Sequence, residues 1–275
     1  MIQPAPAANI ETGRFCAASC ETAFQAWSPG RTSLSTDPRS FIPFARPALG
    51  REEEEAVLRV LRSGWLTSAG EAGAFEQEFA RFVGSRHALA LSSCTAALHL
   101  SLDALGVGPG DTVLVPAYTF TSTAEVVRYL GAEVKLVDIA PDSPLISVRA
   151  CEQAISGTGA SAVIPVHLAG QPVDIPQLKE ALGSIPVIED AAHTLPSRTE
   201  WGHAGTSGTT GCFSFYANKT ITTGEGGMLV TDDDDIASRA KLMRLHGIDR
   251  EVWNRYTSPD AGWSYSVVEA GYKYN

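Results

Sequence analysis

The chain has 275 residues, 44% of them hydrophobic and 19% charged, which is the balance of an ordinary globular protein with one large domain or two smaller ones. A formal net charge of -10 argues against a broad nucleic-acid-binding face. No apolar run approaches the roughly 20 residues of a membrane-spanning helix, so no membrane partner is expected.

The first 40 residues are rich in Ala, Pro, Ser and Thr and show no periodicity. They lack the apolar stretch of a secretory signal and read as a disordered or loosely docked extension. The five cysteines (Cys16, Cys20, Cys94, Cys151 and Cys212) are scattered, and no histidine completes a zinc site around them. They read as reduced thiols, which points to the cytoplasm. The histidines show no metal-ligand spacing, so no metal is expected.

From Phe41 the pattern changes. Arg51 to Arg62 puts Val57, Leu58 and Leu61 on one face of a helix with acids in its first turn, ended by Ser63-Gly64. A loop, Trp65 to Ser68, leads to a second helix from about Gly73 to Val83. Strands are then expected at Ala88–Leu91, Thr112–Val115, Glu133–Val137, Ala162–Val166 and Pro186–Glu189. Helices are expected between and after them, at Thr95–Leu105, Ser122–Leu130, Val148–Ile155 and Ile175–Leu182. This alternation predicts an α/β fold, a mostly parallel sheet with helices on both faces, whose ligands bind beyond the carboxyl ends of the strands.

Polar residues stand at those ends. Ser92-Ser93-Cys94-Thr95-Ala96 opens a helix. The Thr95 hydroxyl and the amides of Thr95 and Ala96 could hold a phosphate, or the serines could simply cap the helix. Tyr118 and Phe120 follow the next strand and could stack on a flat ring or fill core. Glu189-Asp190-Ala191-Ala192-His193 follows another. There Asp190 could face a protonated ring nitrogen or cap a turn, and His193 could cover the ring or serve structure alone. Lys219 lies between two apolar runs, Cys212 to Tyr216 and Met228 to Val230. It is either a hairpin lysine reaching water or an amine whose burial readies it for an aldehyde. Pyridoxal 5′-phosphate (PLP) would explain the lysine, the acid, the phosphate cup and the stacking partner together.

The segments V-I-E-D-A-A-H, F-S-F-Y-A-N-K-T-I-T-T-G-E-G-G-M and G-Y-K-Y-N, with S-G-W-L-T-S, S-S-C-T-A-A-L-H-L and P-A-Y-T-F-T-S-T before them, occur in this order. Together they resemble the DegT/DnrJ/EryC1/StrS family of PLP-dependent sugar aminotransferases. The resemblance covers about 41–275 and implies a fold type I (aspartate aminotransferase-like) large domain working as a homodimer with shared active sites. By position, Lys219 matches the Schiff-base lysine and Asp190 the pyridinium partner, while Phe120 and His193 match the residues on the two faces of the ring. Thr95, Ala96 and Ser214 match the phosphate cup, and Lys273 a contact from across the dimer, with Asn275 a weaker candidate. Trp65 and Thr67 fall in the nucleotide-sugar loop. The implied reaction moves an amino group from an amino acid, usually glutamate, to a nucleotide-linked keto-sugar. Two departures accompany the match. Thr67-Ser68-Ala69-Gly70-Glu71 replaces the usual T-[ST]-G-P, and relatives continue past G-Y-K-Y-N into a small C-terminal domain. A truncated fragment is therefore expected, and an inert fragment or a non-catalytic binding relative is the alternative reading.

Overall fold

The computed structural model describes residues 43–68, 70–249 and 265–275; the expected extension at 1–40, with Cys16 and Cys20, lies outside them. Its centre is a sheet built from β1 (His87–Leu91), β2 (Thr112–Pro116), β3 (Glu133–Val137), β4 (Ala162–Val163), β5 (Ile188–Asp190), β8 (Thr210–Ser214) and β9 (Gly227–Thr231). Hydrogen bonding gives the orders β1-β9-β8-β5 and β3-β2-β4. Parallel bridges from Val163 to Val187 and from Val166 to Asp190 join the two, so β5 lies beside β4. Only β9 runs against the other strands of this sheet. A small ribbon, β6 (Arg198–Thr199) with β7 (Gly202–His203), stands apart.

Side chains alternate across a strand, and the core follows that alternation. Val113 and Val115 join Leu98, Leu100 and Leu229 in one cluster, whereas Leu114 joins Ile175, Leu178 and Val187 in another. Phe213, Met228 and Val230 pack with Phe79 and Phe215 in a third, aromatic cluster. Both faces of the sheet are therefore covered, as the continuous apolar runs require.

The helices are α1 (Arg51–Ser63), α2 (Gly70–Val83), α3 (Cys94–Ala104), α4 (Ser122–Tyr129), α5 (Val148–Thr158), α6 (Ile175–Leu182) and α7 (Asp234–Met243). Several start on a side chain that accepts an orphan backbone N–H: Ser93 from Ala96, Ser147 from Ala150, Asp174 from Gln177. Helix α1 stops at Gly64, whose φ of 71° lies in the left-handed region that favours glycine. Its apolar stripe exists, but Val57 and Leu61 stay more than half exposed and no residue of the helix is buried.

Strands β1 and β2 each run one residue beyond the sequence expectation, and two others differ by more. The ladder of β4 with β2 ends at Val163, although Ile164 still donates its N–H to Leu114 and Val166 bridges Asp190. The expected strand from Pro186 begins at Ile188 and gains Asp190 at its far end. None of these helices is long and apolar enough to cross a membrane.

Candidate active site

The aligned strands deliver their carboxyl ends to one edge. From β1 the chain turns through Ser92 and Ser93 into α3; from β2 it passes through Tyr118 to Phe120; from β5 it leaves through Ala191 and Ala192; and residues 215–226 connect β8 to β9. That last loop closes on itself. Lys219 donates its backbone N–H to Tyr216, Thr223 donates its N–H and Thr222 its hydroxyl to the Phe215 carbonyl, and Tyr216 bridges Gly224. Lys219 is thereby held over the edge of the sheet.

A cavity of about 230 Å³ opens there, lined among others by Ala191, Ala192, His193, Ser214, Asn218 and Lys219. Asp190, 5% exposed, is outside that lining but directly precedes Ala191 and Ala192, which belong to it. Its Oδ1 accepts the Ala192 N–H at 3.2 Å, and its Oδ2 accepts the Thr123 hydroxyl at 3.1 Å. Burial pushes the Asp190 carboxyl up, against the opposing pull of these two donors and of His167 and His193. A buried carboxylate with unused lone pairs invites a further donor, and a ring N–H is one.

Burial also pushes the Lys219 amine down, opposed by Cys94 and Asp190, which places acid and amine within electrostatic reach of each other. An amine so shifted is more readily present as the nucleophilic free base. Lys219 is half-buried and contributes to the cavity wall. His193 takes the Ala169 N–H on Nδ1 at 3.3 Å, which leaves Nε2 to carry the proton and fixes the ring's orientation. Burial, then Lys219, push its pKa down.

Of the other predicted residues, Ser214 lines that cavity, and Thr95, Ala96, Phe120, Trp65 and Thr67 lie outside its lining. Phe120 presents its ring 75% exposed, so it fills no core. Thr95 is half-buried at the start of α3, but the neighbouring Ala96 N–H already goes to Ser93 Oγ at 3.1 Å, the capping arrangement. Lys273 stands outside the cavity lining. Its ammonium donates to the Asn275 side chain, whose Nδ2 donates to Ser68 Oγ at 2.7 Å, beside Trp65 and Thr67. The final segment is sewn to the α3 entrance as well, through the Ser92 N–H on the Tyr274 carbonyl at 2.7 Å. Sequence reasoning missed Thr123, Cys94 and Asn218. The first two lie inside the P-A-Y-T-F-T-S-T and S-S-C-T-A-A segments, and Asn218 precedes the lysine.

A family model described as the DegT/DnrJ/EryC1/StrS aminotransferase family matches residues 47–275. The chain is 44% identical over 238 residues to protein MJ1066 of Methanocaldococcus jannaschii, spanning 86% of this chain and 61% of that one. It is 41% identical over 237 residues to the spore coat polysaccharide biosynthesis protein SpsC of Bacillus subtilis, spanning 86% and 60%. Among solved structures, Spr1654 from Streptococcus pneumoniae in its PLP form superposes with a TM-score of 0.77 at 30% identity, covering 86% of this chain and 63% of that one. A GDP-4-keto-6-deoxymannose-3-dehydratase with a trapped PLP-glutamate geminal diamine gives 0.72 at 29% identity, covering 79% and 57%. The chain thus spans about three fifths of the length of the curated relatives it matches.

Proposed function

The chain belongs to the DegT/DnrJ/EryC1/StrS aminotransferase family, and from that premise we propose that residues 41–275 form the PLP-binding large domain of a sugar aminotransferase with glutamate as donor and a nucleotide-linked keto-sugar as acceptor. The observation that carries this reading is a half-buried amine, Lys219, in a cavity wall together with a buried carboxylate, Asp190, next in sequence to the wall residues Ala191 and Ala192 and within electrostatic reach of that amine. The fold is that of the type I transferases to which its structural neighbours belong. The PLP-glutamate adduct of the dehydratase and the polysaccharide role of SpsC support the donor and acceptor classes.

Pyridoxal phosphate, when bound, supplies a sink for the electron pair left as the donor's α-carbon loses its proton. Lys219 Nζ would hold the cofactor's aldehyde carbon, and its free amine would carry the proton between the donor's α-carbon and the cofactor's C4′ carbon. Asp190 would accept the ring N–H and keep it protonated. Phe120 and His193 would cover the ring's two faces and exclude water. Thr95 and Ser214 would hold the phosphate, with Ala96 sharing an N–H already given to Ser93. Trp65 and Thr67 would meet the nucleotide-sugar, and in a homodimer Lys273 would reach the partner's phosphate.

Incubation with PLP tests this. A visible absorption band should appear and shift when glutamate is added, and Lys219→Ala should lose both the shift and transamination. A chain that takes up no cofactor, or a Lys219→Ala variant with substantial turnover, would end the proposal.

A further inference from the structure

Two hydroxyls stand in line behind the buried acid. Thr123, fully buried on α4, sets Oγ1 3.1 Å from Asp190 Oδ2, and Thr119 Oγ1 lies 2.8 Å from Thr123 Oγ1. An ionised carboxylate only accepts, so the Thr123 proton points to Asp190 and Thr123 must take the Thr119 proton in turn. The other carboxylate oxygen has one close donor as well. Oδ1 accepts the Ala192 N–H, while the Cys94 thiol, 3.9 Å from Oδ1, is nearer to the Cys212 carbonyl at 3.3 Å. Among the described residues, the further titratable groups within electrostatic reach of the acid are His167, His193, Lys219 and the Cys212 thiol.

We propose that Thr123, backed by Thr119, is a positioning residue that decides on which side of the Asp190–ring pair the shared proton rests. The proposal builds on the PLP reading above. A carboxylate oxygen and a ring nitrogen facing each other compete for one proton. A donor that stabilises the carboxylate lowers its appetite for that proton, and it does so more strongly where water is excluded. With the Thr123 hydroxyl in place the proton stays on nitrogen, opposite an anionic Asp190. Without it the proton passes to the carboxyl oxygen, the N–H bond becomes an O–H bond, and both partners become neutral. No other bond changes. A neutral ring withdraws electrons less, so the hydroxyl acts on the chemistry through Asp190. Thr119 adjoins Phe120, so the loop carrying the exposed aromatic ring is tied to the same proton.

The test loads the protein with PLP labelled with nitrogen-15 in the ring and reads that nitrogen's NMR shift, which separates a protonated from a neutral ring. The wild-type protein should give the protonated signal. Thr123→Val should move it towards the neutral value, Thr123→Ser should restore it, and Thr119→Val should move it part of the way. Thermal unfolding and cofactor retention of the same samples separate packing damage from proton placement. A loaded Thr123→Val protein with the wild-type shift overturns the proposal. Should Thr123→Val take up no cofactor, Thr119→Val decides, and an unmoved signal there overturns it too. Failure of the wild-type protein to bind PLP would instead remove the underlying reading.

Discussion

Glu189 and Asp190 are consecutive and both buried, yet they meet opposite supplies of hydrogen-bond donors. Glu189 Oε2 takes His167 Nε2–H at 2.7 Å and the Gly205 N–H at 3.0 Å, and its Oε1 takes the N–H groups of Ser207 and Gly208. His167 accepts the Val173 N–H on Nδ1, which leaves the ring proton on Nε2 for the glutamate. Strand alternation turns Asp190 the other way, towards Thr123, with two donors where Glu189 has four. One carboxylate locks β5 to the chain on either side of it. The other is kept short of a partner at the place where a ligand would supply one.

Asp190→Asn should therefore separate stability from function. Because the folded-state carboxyl is raised, the folded chain binds its proton more tightly than the unfolded chain does. Cofactor-free stability then falls as pH rises from the ordinary Asp value of about 4 through the folded value. Asparagine escapes that loss and should leave the cofactor-free protein more stable at neutral pH, with the advantage vanishing below about pH 4. Turnover should fall by about a hundredfold or more. Urea unfolding at several pH values, beside activity, checks both halves, and an asparagine variant with wild-type turnover would displace the acid from its role.

Glu189→Gln predicts the contrary. Its amide NH2 would point at N–H donors that now meet a carboxylate oxygen, leaving buried donors unsatisfied. The expected loss is about 3 kcal/mol, the scale for removing one partner from a buried charged network. Calorimetry on the cofactor-free protein measures it, and a loss below about 1 kcal/mol would show that the network carries little.

The contrast between these two acids also marks what the sequence could and could not disclose. Strands buried on both faces leave continuous apolar runs, and V-L-V-P and the runs flanking Lys219 are readable for that reason. The V-I-E-D run discloses an acid at a strand end as well. The donors of Glu189 come from residues 167, 205, 207 and 208, whose meeting is a product of topology and leaves no local spacing. Thr123 is hidden differently: a hydroxyl in the first turn of a helix reads as ordinary end chemistry, and only the fold sets it against Asp190. Ser93 shows the reverse, a local cap competing for the Ala96 amide that a phosphate cup would use. The stripe of α1 is legible as periodicity, but periodicity says nothing of what covers it.

Lys219 should titrate apart from the other lysines. Burial lowers its folded-state pKa, so the unfolded chain holds the extra proton and this residue's contribution to stability grows as pH rises through the window below the ordinary lysine value. The same shift offers the free amine at lower pH. Limiting PLP with cyanoborohydride, followed by peptide mapping across a pH series, should label Lys219 first and from a lower pH than any other lysine. An even spread of label over the lysines would contradict the desolvated amine.

Gly227→Ala tests whether strand β9 supports the phosphate end of the site. A Cβ on Gly227 would lie 2.3 Å from the Ser93 carbonyl carbon, 2.4 Å from its oxygen and 2.5 Å from the Cys94 nitrogen. These are backbone atoms at the entrance to α3, so the clash cannot be relieved by swinging a side chain, and overpacking of this kind costs about 1–3 kcal/mol. The displacement should fall on Thr95 and leave the Lys219 loop in place. PLP affinity is then expected to weaken several-fold, while labelling of Lys219 by pyridoxal, which lacks the phosphate, stays near wild type. Gly73→Ala is the control: a Cβ at that position on α2 would meet open space on a helical backbone, so the change should be neutral or stabilising by up to about 1 kcal/mol. Equal loss of PLP and pyridoxal reactivity in Gly227→Ala would mean that the strand supports the whole site and not its phosphate end.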